Sequence, residues 1–198
     1  MASIIRQYLE KKVEVRPPAD IKDLFLAPYY GWVVERLAEA IRPDTSQGES
    51  PEVPRYETNR GPGSTADVDF WTSRDVREVT KSHLNYIVAD TTQWEQSAAY
   101  YVDKHPNVEA FVKNSGLGFA IPYLHNGQMH DYVPDFIVRL KDPQLCHLIL
   151  EIKGFDPTEE VKRAAAERWV SAVNADGTNG KWRYAVAKKV SDIPGLLS

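Results

Sequence analysis

The stretch Tyr132-Val133-Pro134-Asp135-Phe136-Ile137-Val138-Arg139-Leu140-Lys141-Asp142-Pro143-Gln144-Leu145-Cys146-His147-Leu148-Ile149-Leu150-Glu151-Ile152-Lys153 decides how this chain is read. Two runs rich in aliphatic residues flank Asp142-Pro143, a pair that favours a turn. A hairpin centred on Pro143 pairs positions whose numbers sum to 286, and Asp135 and Glu151 satisfy that sum. Opposed side chains in an antiparallel pair have Cβ atoms about 4.5–5.5 Å apart. Glu151 and Lys153 are two apart on one strand, so they share a face. Two carboxylates and one ammonium are therefore expected on one patch of sheet.

Two carboxylates so close repel each other unless something positive lies between them. A hard divalent cation such as Mg²⁺, for which Mn²⁺ is a substitute, takes one or two carboxylates together with water and phosphate oxygens. Such an ion stabilises charge on a scissile phosphate and acidifies water. Lys153 beside it would orient or deprotonate that water. In outline this is a site for phosphodiester hydrolysis. The spelling Glu-x-Lys also occurs at Glu10 to Lys12 and at Glu160 to Lys162, in charged helical stretches, and Pro-Asp recurs at Pro43-Asp44. Glu151 differs because it interrupts Leu148-Ile149-Leu150 and Ile152, where an unpaired carboxylate costs free energy. The alternative reading is a Glu151–Lys153 ion pair on a solvent-facing strand edge.

Outward from this stretch, Asn126-Gly127 is a strong hairpin signal between a strand over 118–124 and a returning strand over 128–140. A third strand follows over 147–153. Asp156-Pro157-Thr158-Glu159 reads as a helix start, with Asp156 as N-cap and Pro157 at the first helical position. That helix is expected to run to about Val173 and, past Asn179-Gly180, to lead into a last strand over 182–187. Its length suits a parallel crossover. Before the meander, 94–104 reads as a helix with Thr92 as N-cap and Glu95 three residues on. A short strand is expected over 66–72. Residues 1–42 read as helical, broken at Pro17-Pro18, and 42–64 are a polar linker rich in Pro, Gly, Ser and Glu. The fold class is α/β: a mixed sheet with an α-β-β-β-α-β core over 65–198, flanked by helices, behind an N-terminal helical segment and linker over 1–64.

The bulk properties narrow the setting. At 198 residues, 42% of them hydrophobic and 26% charged, the chain can bury a core without disulfides. The single Cys146 beside an apolar run reads as a buried reduced thiol in a cytoplasmic protein. Arg6, Glu10, Lys11 and Lys12 leave no apolar region for a signal peptide, and no stretch is long enough to span a bilayer. A net charge of −4 and a pI of about 5.8 argue against gripping nucleic acid by bulk electrostatics. Contact with DNA is expected to be local.

Several runs carry a resemblance. Lys81-Ser82-His83-Leu84-Asn85, Trp94-Glu95, Lys113-Asn114 through Pro122-Tyr123, Tyr132 to Phe136 and Leu148 to Gly154 follow one another in order. Together they resemble the C-terminal endonuclease region of the restriction subunit of type III restriction-modification enzymes, which looks like a PD-(D/E)XK nuclease. The resemblance covers about residues 65–198. It implies that Asp135 and Glu151 ligate Mg²⁺, with the Ile152 carbonyl as a third protein oxygen. It makes Lys153 the catalytic lysine and Glu95 the helix-one acid near the metal. Glu95 also fits a plain capping box with Thr92, and one residue can do both. The implied substrate is double-stranded DNA. The implied partners are an ATP-dependent helicase motor in the same parent protein and a methyltransferase subunit. This chain has no phosphate-binding loop, since no Gly lies five positions before Gly180-Lys181, so no ATP site is expected in it. The rivals are a nuclease fold that no longer cuts and serves as a DNA-binding or assembly module, and a stand-alone repair or transposition nuclease.

Other residues read as structural. The five His do not make a zinc site, since His125 and His130 flank the Asn-Gly turn with no Cys partner. Lys113 and Asn114, ahead of Gly116 and Gly118, fit a turn better than a phosphate contact. Lys162 and Arg163 read as solvated helix charges, and Trp169 and Trp182 as core.

Overall fold

The computed structural model describes residues 2–40, 63–88, 93–126, 128–144, 146–152 and 156–198. The chain divides into two compact units, Met1–Arg42 with Pro122–His130, and Pro43–Ile121 with Asp131–Ser198. Lys153, Gly154, Thr92 and most of the expected linker lie outside the described residues.

In the first unit, helices α1 (Ala2–Lys12) and α2 (Tyr29–Ala40) occupy the span read as helical. Between them a 3-10 turn, Ile21–Phe25, is closed by a capping box in which Asp20 accepts from Lys22 N and Asp23 accepts from Asp20 N. The same unit holds the tip of the Asn-Gly hairpin. There Asn126 has φ 51, the left-handed backbone such a turn needs, and its N–H donates to Glu35.

The second unit begins with a correction. Residues 66–72 form no strand; Thr65–Asp67 is a 3-10 turn in which the Ser64 hydroxyl accepts from Ala66 N at 3.1 Å. Alternation alone did not secure a partner, and Phe70 and Trp71 are exposed. The strands here are β1 (Val76–Glu78) and β2 (Tyr86–Val88), paired antiparallel. Helix α3 (Gln93–Lys104) matches the expected helix.

After it comes β3 (Val108–Lys113), which the sequence reading missed. Its later residues are buried on both sides, so it shows no clean alternation, and its register shifts between Val108 and Ala110. The hairpin β4 (Ile121–His125) and β5 (Gln128–Tyr132) forms a sheet of its own rather than the start of the core sheet. The span read as one strand over 128–140 is two, because Pro134 has no N–H for a ladder. The second piece is β6 (Phe136–Leu140), followed by β7 (Cys146–Ile152).

β6 and β7 pair antiparallel, Phe136 to Leu150 through Arg139 to His147, which is the register expected for a hairpin about Pro143. Helix α4 (Glu159–Asp176) then leads to β8 (Lys181–Ala187), parallel to β7. The N-cap of α4 is Thr158, not Asp156; Asp156 instead accepts from Thr158 N and Oγ1, both at 2.7 Å, forming a turn that delays the helix. The helix passes Val173 and ends at Gly177, whose φ of 69 is the left-handed conformation of a C-cap. A 3-10 turn and the short α5 (Ile193–Leu196) close the chain.

The central sheet runs β3-β6-β7-β8 and is mixed, so the class is α/β. On one face Phe111, Phe136, Val138, Leu140, Leu148 and Leu150 pack with Ala98, Ala99 and Val102 of α3 and with Ile193 and Leu197. α4 packs on β8, burying Ala165, Ala166 and Val173. Cys146 is a buried free thiol. No helix of the described residues is long and apolar enough to cross a membrane.

Candidate active site

β6 and β7 end together, and that end carries the acids. Asp135 is the residue before β6, and Glu151 is the penultimate residue of β7. The register that pairs Phe136 with Leu150 sets them next to each other. Ile152 N donates to Asp135 Oδ2 at 2.7 Å, and Asp135 N donates to Glu151 Oε2 at 3.3 Å. Glu151 lies among leucines and isoleucines and is only 6% exposed. Tyr132, fully buried at the end of β5, donates its hydroxyl to Glu151 Oε2 at 2.6 Å. Tyr184 of β8 stands edge-on to that ring, its hydroxyl 3.4 Å from Tyr132 Oη.

The electrostatics follow from this crowding. Burial, then the charge of Glu151, pushes the Asp135 carboxyl up to about 7; the Ile152 amide pulls it back, Glu95 adds to the rise and Lys113 opposes it. Burial, then Glu151 and Tyr184, raises the Tyr132 hydroxyl above the ordinary phenol value. Tyr132 is thus a neutral donor to a carboxylate.

Glu95 stands in the first turn of α3. Its Oε2 accepts from Lys113 Nζ at 2.5 Å, and the same ammonium donates to Val88 O at 2.7 Å. Lys113 is 4% exposed: it is the buried last residue of β3, neither a turn residue nor a surface cation. Asn114, next along, does organise the turn. Its side-chain amide donates to Phe119 O at 2.7 Å and Pro134 O at 3.0 Å, and its N–H donates to Asp135 O at 2.8 Å. Gly116 and Gly118, both at φ 74, complete the reversal.

The residues are thus distributed as follows. Asp135, Glu151 and Ile152 are brought together; Glu95 is held by Lys113; Lys153 lies outside the described residues. Ile152 meets Asp135 through its N–H. Among the described residues, no group of three or more His, Cys, Asp and Glu is arranged to hold a metal ion, so the acids described are a pair. That pair suits a hard divalent cation, because its donors are carboxylate oxygens. Tyr132, Tyr184 and Lys113 were not read from the sequence as site residues. Only Lys113 left a signal, a charge ending the apolar run Phe111-Val112. Away from the site, Lys162 pairs with Asp156 at 3.0 Å, and Trp169, Trp182, Phe119 and His147 form an aromatic cluster.

The fold and the site together define a mixed α/β protein in which Asp135 and the buried Glu151 stand together at one end of the two inner strands of its central sheet. No family model, curated protein or solved structure matches the chain.

Proposed function

We propose that this chain is a metal-dependent endonuclease that hydrolyses phosphodiester bonds of double-stranded DNA. The observation that carries the reading is the hydrogen bonding of Ile152 N to Asp135 and of Asp135 N to Glu151, which sets two carboxylates side by side at the sheet's end. Asp135 and Glu151 would hold Mg²⁺ or Mn²⁺, with the Ile152 carbonyl as a further oxygen. The ion supplies a Lewis acid for the phosphate and a more acidic water. Tyr132 orients Glu151, and the Ile152 amide orients Asp135, so neither carboxylate has to reorganise when it binds. Lys153, two residues beyond Glu151 in sequence, is the candidate to orient or deprotonate the attacking water, and Glu95 assists from α3.

The order α3-β3-β6-β7-α4-β8 supports a restriction-endonuclease-like fold, since it has the α-β-β-β-α-β sequence of elements that fold requires. The ordered runs from Lys81 to Gly154 support the narrower reading, the cleavage domain of a type III restriction subunit. On that reading it works in the cytoplasm, beside a helicase motor of the same parent protein and with a methyltransferase subunit. Both partners fit a chain whose net charge of −4 gives it little hold on DNA by itself.

The test is conversion of supercoiled plasmid by the full chain in Mg²⁺ or Mn²⁺. The wild type should nick or linearise it, EDTA should stop the reaction, and Asp135→Ala and Glu151→Ala should each lower the rate by about a hundredfold or more. Equal cleavage by wild type and both variants would refute the assignment.

A further inference from the structure

Trp71 is fully exposed and Phe70 beside it is 47% exposed, although large aromatic side chains gain most from leaving water. Both stand on an open cleft of about 510 Å³, within the size range of small-ligand sites. The segment from Asp67 to Arg74 lines it together with Ser115 and Gly116. The Phe70 ring lies against Gly116, where an added Cβ would meet it at 3.4 Å. Gly116 belongs to the turn that Asn114 organises, and Asn114 N donates to Asp135 O at 2.8 Å. The cleft is therefore reached two residues along the chain from a backbone tie to the candidate active site.

The chemistry of the walls narrows the ligand. Asp67 and Asp69 outnumber Arg74 there, which disfavours a phosphate and suits a group that donates hydrogen bonds. A nucleobase with an exocyclic amino group combines such a donor with a π-face for the indole. Stacking needs no positive charge, which fits a chain of net charge −4. We propose that this cleft takes one unpaired base of the DNA strand at the candidate active site, stacked on the Trp71 indole with its amino edge towards Asp67 and Asp69. The choice of nucleic acid as ligand rests on the DNA-cleaving reading above. A paired base is covered by its neighbours in the stack, so the cleft receives a base only where the strand is open.

The test is binding of fluorescein-labelled oligo(dC) and oligo(dT) of equal length to the full chain in EDTA, read by anisotropy. Wild type should bind oligo(dC) more tightly, since thymine has no exocyclic amino group. Trp71→Ala should weaken oligo(dC) binding about 5–150-fold, the loss of one stacked base, while Trp71→Phe keeps most of it. The ratio should hold from low to high salt, because stacking releases no counterions. A fully paired duplex should bind wild type and Trp71→Ala alike. Replacing Asp67 and Asp69 together by Ala should abolish the preference for oligo(dC). Trp71 is fully exposed, so its replacement leaves the core intact. Equal affinity of wild type and Trp71→Ala for oligo(dC) would overturn the inference and leave the cleft to an apolar peptide. A wild type that binds neither strand, or binds both equally, would overturn it too. Trp71-dependent binding by a wild type that leaves plasmid uncut in Mg²⁺ would remove the proposed function and support this inference.

Discussion

Asp135 and Glu151 are tied to each other through the backbone in both directions: the amide after Glu151 donates to the Asp135 carboxylate at 2.7 Å, and the Asp135 amide donates to the Glu151 carboxylate at 3.3 Å. Neither acid can turn away without breaking a hydrogen bond to its partner's strand. The arrangement keeps two carboxylates close although each disfavours the other's charge, and its consequences are open to measurement.

The first consequence is a pH dependence. Asp135 is pushed up to about 7 in the folded protein from an ordinary value of 3.8, so between those limits the native state binds more protons than the unfolded chain. Stability of the metal-free protein should therefore fall as pH rises from about 4 to 7, by no more than about 4 kcal/mol, and then level off. Asp135→Asn should flatten this slope and be the more stable protein at pH 8. Urea denaturation across that range, in EDTA, measures it; an unchanged slope in Asp135→Asn would refute the assignment of the titration to Asp135.

Tyr132→Phe removes the hydroxyl that donates to Glu151 at 2.6 Å. A buried carboxylate that loses a donor should cost about 1–3 kcal/mol of stability. Mn²⁺ affinity should weaken about 10–100-fold, because an orienting partner of a ligand is lost. Calorimetry on the variant gives both numbers.

The Lys113–Glu95 pair should show strong coupling. Lys113→Met leaves Glu95 without its ammonium and should destabilise by about 3–5 kcal/mol, with much of that recovered when Glu95→Gln is added. A double-mutant cycle in urea tests this, and additive effects would contradict it.

Asp103 predicts the opposite pH behaviour to Asp135. Burial pushes its carboxyl up, but hydrogen bonds from Lys81 N, Lys104 and Thr80 outweigh it and hold the pKa below the ordinary value. Its contribution is present above the unfolded pKa and is lost as pH falls through the lower folded value. Asp103→Asn should therefore weaken the protein at neutral pH and remove part of its acid transition, as seen by circular dichroism from pH 5 to 2.

The hairpin about Pro143 was legible because its signals agree: two aliphatic runs, a turn pair and acids at matching distances fix one register. The crossover through α4 to β8 was legible for the same reason. β3 was not, because a strand buried on both faces lacks alternation, and a bulge near Glu109 breaks what remains. The segment over 66–72 misled in the other direction, since alternation there has no neighbouring strand to satisfy it. At the site, Asp135 and Glu151 could be paired by counting. Tyr132, Tyr184 and Lys113 come from three other strands, and no local spacing announces them.

The central claim is that Asp135 and Glu151 together hold a divalent ion. The most direct measurement is anomalous diffraction from crystals of the full chain soaked in Mn²⁺, for wild type and Asp135→Ala. The account predicts one anomalous peak between the Asp135 and Glu151 carboxylates, at about 2.0–2.4 Å from their oxygens, and none in the variant. No peak in the wild type at saturating Mn²⁺, or a peak undiminished in Asp135→Ala, would contradict it.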